Sequence, residues 1–277
     1  MIPWVAVRGA GDLATGTIVR LVNCGFRVLA MECEQPSAIR RQVALSEAVY
    51  DGTAVVEGVA CRRISQVSQA DAVWHNGEVP LLVDTKAACI SDLAPAVVID
   101  AILAKRNLGT CRDMAPITIG LGPGFTAGQD VDAVIETMRG HNLGRVLYTG
   151  TALPNTGIPG LIGGYGAERV IHAPADGALR CAQEENGMPI EIGSTVQRGQ
   201  IIAYVGDTPI AATLDGVLRG LIRTGYPVTK GLKIADIDPR IEQKKNCNTI
   251  SDKARSIAGG VVEAMLWLAK QRGLTLS

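Results

Sequence analysis

The sequence predicts an α/β chain: a largely parallel sheet domain, then a small pseudo-symmetric β domain, then a C-terminal helix. Three observations predict it. Over residues 1–150, short apolar, β-branched runs alternate with helix-like segments, as expected of strands buried on both faces. Farther on, Gly193, Val196, Gly199 and Ile202 recur 32 residues later as Gly225, Val228, Gly231 and Ile234, and Val205 recurs as Ile237. In the final segment, Ile257, Val261, Met265 and Leu268 keep one apolar face at helical spacing.

Composition narrows the function classes. The 277 residues are 47% hydrophobic but only 4% aromatic, an aliphatic interior with few platforms on which bases could stack. Lys plus Arg (27) equals Asp plus Glu (27), so no net field gathers nucleic acid or coats a membrane. The N-terminal "MIPWVAVRGAGD" lacks a basic stretch followed by a long apolar one, and no apolar run approaches the roughly 18 residues of a membrane span. The expectation is a cytoplasmic protein. Seven scattered cysteines, none in a C-x-x-C pair, predict neither a disulfide framework nor a metal site. Oligomeric state is open, a homo-oligomer included.

Element by element, strands are expected at residues 4–7, 27–32, 54–58, 81–84, 97–100, 117–120 and 145–150, and helices at 13–23, 38–49 and 130–138. These define a Rossmann-like domain over residues 1–165, with its crevice at the carboxyl ends of the strands. Gly- and Pro-dense loops fill residues 150–174. The repeat then gives an all-β domain over 166–240, its halves opened by the turns Asp176-Gly177 and Asp215-Gly216. Residues 241–277 end in a helix capped by Ser251 or Asp252, which returns to cover the first domain.

Four segments carry candidate chemistry. In "AVRGAGDLATG" (6–16), Gly9, Gly11 and Ala14 fit G-x-G-x-x-A between a strand and a helix, and Glu32 follows Gly11 by 21 residues, where an acid would accept a ribose hydroxyl. NAD(P) or another nucleotide fits this pattern. Asp12 argues against it by placing a like charge near the phosphate, and a plain tight turn uses the same residues. Arg40, beside Arg41 at the start of the next helix, is suited to clamp an anion or to lie on a solvated turn. In the third segment, Gly120, Gly122, Gly124 and Gly128 follow a strand and precede the expected 130–138 helix, with Asp130 as its cap. They offer a second cradle of backbone N–H groups. Beyond that helix His141, between Arg139 and Arg145, is a candidate acid–base group or a plain surface residue. Fourth, "LPNTGIPG" (153–160) presents Asn155 and Thr156 from a rigid loop. No catalytic residue is assigned beyond the candidates His141 and Cys33, the latter a thiol at the presumed ligand-facing strand end.

Two resemblances sharpen this reading. "IAATLDGVLRGLIRTGYPVTKGLKIADIDP" (210–239) resembles the barrel-sandwich fold of biotinyl and lipoyl carrier domains. The hairpin "YVGDTPIAA" (204–212), where such a carrier bears its modified lysine, contains no lysine, so a structural or docking module is what remains. Over nearly the entire chain, "RGAGDLATG", "EQPSAIRR", "LLVDTK", "VIDAILAKRNLGT", "GLGPGFTAGQDVDAVIETMRGHNLGRV" and "GTALPNTGIPG" together resemble the YqeB-type family. That family is associated with selenium-dependent molybdenum hydroxylases as an accessory or maturation protein. The resemblance implies a molybdenum hydroxylase or its cofactor as partner, and a nucleotide or the molybdenum cofactor as ligand. By fold-level analogy, maturation factors of the XdhC type also join a Rossmann-like domain to handling of that cofactor. An NAD(P)-dependent oxidoreductase and a non-catalytic docking protein are the competing readings.

Overall fold

The computed structural model describes residues 3–157, 160–184 and 187–276. The chain forms two compact units: Met1–Pro36, Ala44–Thr156 and Ile250–Ser277 make the first, and Ser37–Val43 with Gly157–Thr249 make the second.

In the first unit, strands β1 (Trp4–Arg8), β2 (Arg27–Glu32), β3 (Thr53–Val56), β4 (Val59–Ile64), β5 (Val79–Val83), β6 (Val97–Asp100), β7 (Ile117–Leu121), β8 (Thr126–Ala127), β9 (Ala133–Ile135), β10 (Val146–Leu147) and β11 (Gly150–Thr151) follow in chain order. All but β8 and β11, which pair with each other, join one nine-stranded sheet in the order β10-β9-β7-β6-β1-β2-β5-β4-β3. The seven strands from β9 to β4 run parallel, and only the edge strands β10 and β3 are antiparallel. Helices α1 (Asp12–Asn23), α2 (Ala48–Asp51), α3 (Ala70–His75), α4 (Ile90–Leu93) and α5 (Asp252–Arg272) complete the unit. No helix among the described residues is long and apolar enough to cross a membrane.

The expected strands are present with small shifts, the 145–150 run dividing into β10 and β11. Two expected helices are not formed. Residues 38–49 fold as single turns of 3-10 helix at Arg41–Val43 and Leu45–Glu47 before the four-residue α2. Residues 130–138 hold strand β9, because Ala133, Val134 and Ile135 are all fully buried and extend the parallel sheet beside β7. β-Branched Val and Ile fit a pleated surface better than a helix, and the tertiary slot prevails over the apparent helical spacing. Asp130 therefore caps no helix. Its carboxylate accepts the Thr126 N–H at 2.7 Å within the preceding turn. Beyond expectation is β4, which pairs with β3 across the Glu57-Gly58 turn, both residues at positive φ (46° and 84°) as a two-residue hairpin requires.

α5 is built as its sequence signals indicate. The Ser251 hydroxyl caps its N-terminus by accepting the Ala254 N–H at 3.2 Å, and Gly273 closes it at φ 63°. It packs on α1 at close range: a Cβ on Gly16 would lie 2.7 Å from that of Ala254. Gly260 lies against the Gly144 carbonyl, where a side chain has no room. At its far end, Arg272 donates to both oxygens of the buried Asp132 (2.7 and 3.0 Å), which also accepts from Arg112 Nε at 2.8 Å and from the Thr118 N–H at 3.0 Å.

The second unit consists of β12 (Val170–His172), β13 (Gly177–Cys181), β14 (Thr195–Val196), β15 (Ile201–Val205), β16 (Thr208–Ala211), β17 (Gly216–Leu221), β18 (Pro227–Val228) and β19 (Lys233–Asp238). They form two four-stranded sheets, β12-β19-β17-β14 and β16-β15-β13-β18. The repeat explains the pairing. The Val196 strand of the first half pairs with β17 of the second, and the Val228 strand of the second pairs with β13 of the first. Each half thus completes the other's sheet around one aliphatic core containing Val196, Ile202, Val228 and Ile234. The Gly206-Asp207 turn joins β15 to β16 without a lysine.

Asp132 generates a stability prediction. Burial works to raise its pKa, but the hydrogen bonds from Arg272, Thr118 and Arg112 outweigh burial and hold it below the ordinary carboxylate value. Its stabilising effect is therefore complete above about pH 4 and is lost as pH falls through the lowered folded value. Asp132→Asn should cost about 2–4 kcal/mol in denaturant unfolding at pH 7. The variant's stability should also fall less steeply than the parent's between about pH 4 and pH 2.

Candidate functional site

The sheet order reverses between β1 and β6: from β1 the chain steps to β2 on one side, and β6 and β7 continue on the other. In open α/β sheets this is where the carboxyl ends leave a crevice. Here two charges end two apolar strands at the same register, Arg8 on β1 and Asp100 on β6. Both are 2% exposed and lie 3.5 Å apart. Thr110 bridges them: its hydroxyl accepts from Arg8 Nη1 and donates to Asp100 Oδ2 at 2.5 Å. Arg8 also reaches the Leu108 carbonyl at 3.3 Å, and Asn107 Oδ1 accepts the N–H groups of Gly109 and Thr110. Residues 101–110 are thereby tied down at both ends as a loop.

The candidate glycines meet this loop. Gly9, at φ 98°, faces the chain after β6, and a Cβ there would lie 2.9 Å from the Ala101 carbonyl oxygen. Gly124, at φ 113°, is as close on the other side, 2.7 Å from the Arg106 backbone. Gly122, at φ 77°, leaves room for Thr137, whose Oγ1 would be 2.5 Å from a Cβ. Three of the four candidate glycines are thus explained by close passage of the protein's own chain. Gly11 differs. It sits at the N-terminus of α1 with φ −69°, and a Cβ there would meet nothing within 4 Å.

The remaining candidates have distinct surroundings. Ala14 is buried on α1, and Asp12 stands in that helix's first turn. Glu32, at the end of β2, accepts the Ala10 N–H and the Cys33 N–H, both at 2.8 Å, so its carboxylate braces the first glycine turn. The Ser46 N–H donates to the Ala10 carbonyl from the opposite side, while the buried Ser46 hydroxyl has no hydrogen-bond partner among the described residues. Burial, then the neighbouring Glu32 charge, push the Cys33 thiol up to about 11. That direction is opposite to what a nucleophilic thiolate needs. Cys89, at the end of β5, is raised to about 12 by burial and Asp84. Arg139 forms a two-bond pair with Asp252 (2.8 and 3.0 Å), and His141 is exposed in the same loop. Asn155 is exposed two residues beyond Leu153, whose N–H is held by the buried Glu136 at 2.8 Å. Arg40 belongs to the second unit, where it donates to the carbonyls of Asn246 (3.3 Å) and Thr249 (3.0 Å).

The structure therefore brings together Gly9, Gly11, Glu32 and the 122–124 turn at the strand ends, and adds Arg8, Asp100, Asn107 and Thr110, which motif reasoning passes over. The available signal was a charge closing an apolar strand twice, in "WVAVR" and "VVID". No group of three or more His, Cys, Asp or Glu suited to a metal ion occurs among the described residues.

Comparison with known proteins adds a similarity and no chemistry. The chain is 48% identical over 267 residues, 96% of its length, to the uncharacterized protein YqeB of Escherichia coli (strain K12). The aligned region is 48% of that relative, so the chain spans about half its length. No family model and no solved structure matches the chain.

Two outcomes follow from this geometry. Gly9→Ala and Gly124→Ala should each lower unfolding free energy by about 1–3 kcal/mol, since both combine left-handed backbone with a clash, whereas Gly11→Ala should change it by less than about 0.5 kcal/mol. Alkylation by iodoacetamide at pH 7.5 should label the exposed Cys24 and Cys111 well before Cys33, and Cys33 labelling should accelerate as pH rises toward 11.

Proposed function

We propose that the first unit binds a phosphorylated ligand, a nucleotide or the molybdopterin cofactor, at the carboxyl ends of its parallel strands. On this reading the protein is an accessory factor in maturing a selenium-dependent molybdenum hydroxylase. The observation that carries the binding reading is the switch point itself, with the open backbone of Gly11 at the N-terminus of the 12-residue α1 beside it. A helix N-terminus favours an anion through its unsatisfied N–H groups and dipole, and an uncovered glycine lets a ligand approach that backbone. The maturation role rests on the family-level resemblance of the chain's segments, with the hydroxylase or its cofactor as partner. Glu32 is engaged by two backbone N–H groups, which supports a turn-bracing role more than ribose recognition, so a pyridine-dinucleotide oxidoreductase has weaker support.

Mass spectrometry of small molecules released by denaturing the purified protein, together with calorimetric titration of ADP, NAD and molybdopterin, tests this reading. The expected result is binding of at least one phosphorylated compound. Gly11→Leu should weaken that binding about tenfold or more, equivalent to about 1.4 kcal/mol, with little change in Tm. Absence of any such binding would refute it.

A further inference from the structure

We infer that the loop between β6 and β7, through Lys105 and Arg106, supplies the cationic grip on the ligand's phosphate; this rests on the binding reading above. The first glycine turn alone does not meet the charge of an incoming phosphate. Its Ala10 N–H is already held by the Glu32 carboxylate, which also brings a negative charge to that side of the site. The second glycine turn gives its close approaches to Thr137 and to the Arg106 backbone. Positive charge must therefore come from elsewhere at the strand ends.

The 101–110 loop is placed to provide it. It begins against Gly9 after β1 and passes Gly124 after β7, so it runs over the carboxyl ends of the strands flanking the switch point. Its ends are fixed through Asp100 and Thr110 by the buried Arg8, so its position is set by the sheet and not by solvent. Lys105 and Arg106 stand exposed on it, and neither pairs with an acid among the described residues. Most other arginines near this sheet are neutralised, as Arg8 by Asp100, Arg62 by Glu78, Arg112 and Arg272 by Asp132, and Arg139 by Asp252. Leu103 and Lys105 are both held at left-handed φ (61° and 63°), an unfavourable backbone for side-chain-bearing residues that concentrates at ligand-binding segments. An exposed pair of cations on a loop anchored at the strand ends beside the switch point suits a diphosphate, which takes one charge-assisted contact from each.

The test uses the full chain and calorimetric titration of inorganic pyrophosphate and ADP at low and high salt. Lys105→Gly combined with Arg106→Gln removes both charges, and glycine accepts the left-handed φ at 105, so Tm should be unchanged or higher. The expected result is parent binding that weakens with salt, and a variant whose Kd is at least about tenfold larger with a shallower salt dependence. Lys105→Arg with Arg106→Lys should keep binding within about threefold of the parent. A neutral variant that binds as the parent does overturns the inference and leaves the binding reading intact. A parent that binds neither probe, nor any compound released from the purified protein, overturns both.

Discussion

The candidate site depends on one buried charge. Arg8 closes a fully apolar strand in the middle of the sheet, and a guanidinium there costs several kcal/mol unless it is paired and hydrogen-bonded. Asp100, its register neighbour on β6, supplies the pair, and Thr110 satisfies both partners at once. That requirement shapes the connection out of β6. A chain that must return Thr110 to the end of β1 passes over the switch point instead of leaving directly as a crossover helix. The close passages at Gly9 and Gly124 are the consequence, since the sheet end and the returning loop share space in which a Cβ does not fit.

Seen this way, the two glycine-rich turns are not two equal anion cradles. Gly9, Gly122 and Gly124 make room for the chain, Gly16 makes room for α5, and Glu32 holds the first turn in shape. Among these turn glycines, Gly11 is the one where an added Cβ would meet nothing within 4 Å. On the proposed binding reading, glycines and Glu32 form the floor at the strand ends, and the exposed cations of the 101–110 loop supply the charge. Rigid support beneath a charged contact lowers the ordering cost of binding.

Much of the fold was legible because its signals are local. Apolar β-branched runs marked β1, β2, β5, β6 and β7, the Ser251 and Gly273 caps framed α5, and the 32-residue recurrence marked the β unit whose halves exchange strands. What escaped was set by tertiary demand. Asp130 to Met138 carries a plausible helical pattern, yet β7 offers a parallel edge that Ala133, Val134 and Ile135 fill. Residues 38–49 divide between the two units at Val43 and Ala44 and fold as separate short turns, not as one helix. The site was half legible. The glycine spacing pointed to the strand ends beside the switch point, while the triad ties Arg8 to Asp100 and Thr110, both about a hundred positions away, a separation at which no motif operates. The same holds for Arg139, whose partner Asp252 is 113 residues away and removes it from the anion-binding candidates.

Amide hydrogen exchange on the intact protein, with and without saturating ADP, tests the central claim most directly. The account predicts slower exchange in the ligand-bound state at residues 9–12 and 101–110, with the 160–249 region of the second unit unchanged. Protection confined to the second unit, or bound ADP without any effect at 101–110, would contradict it.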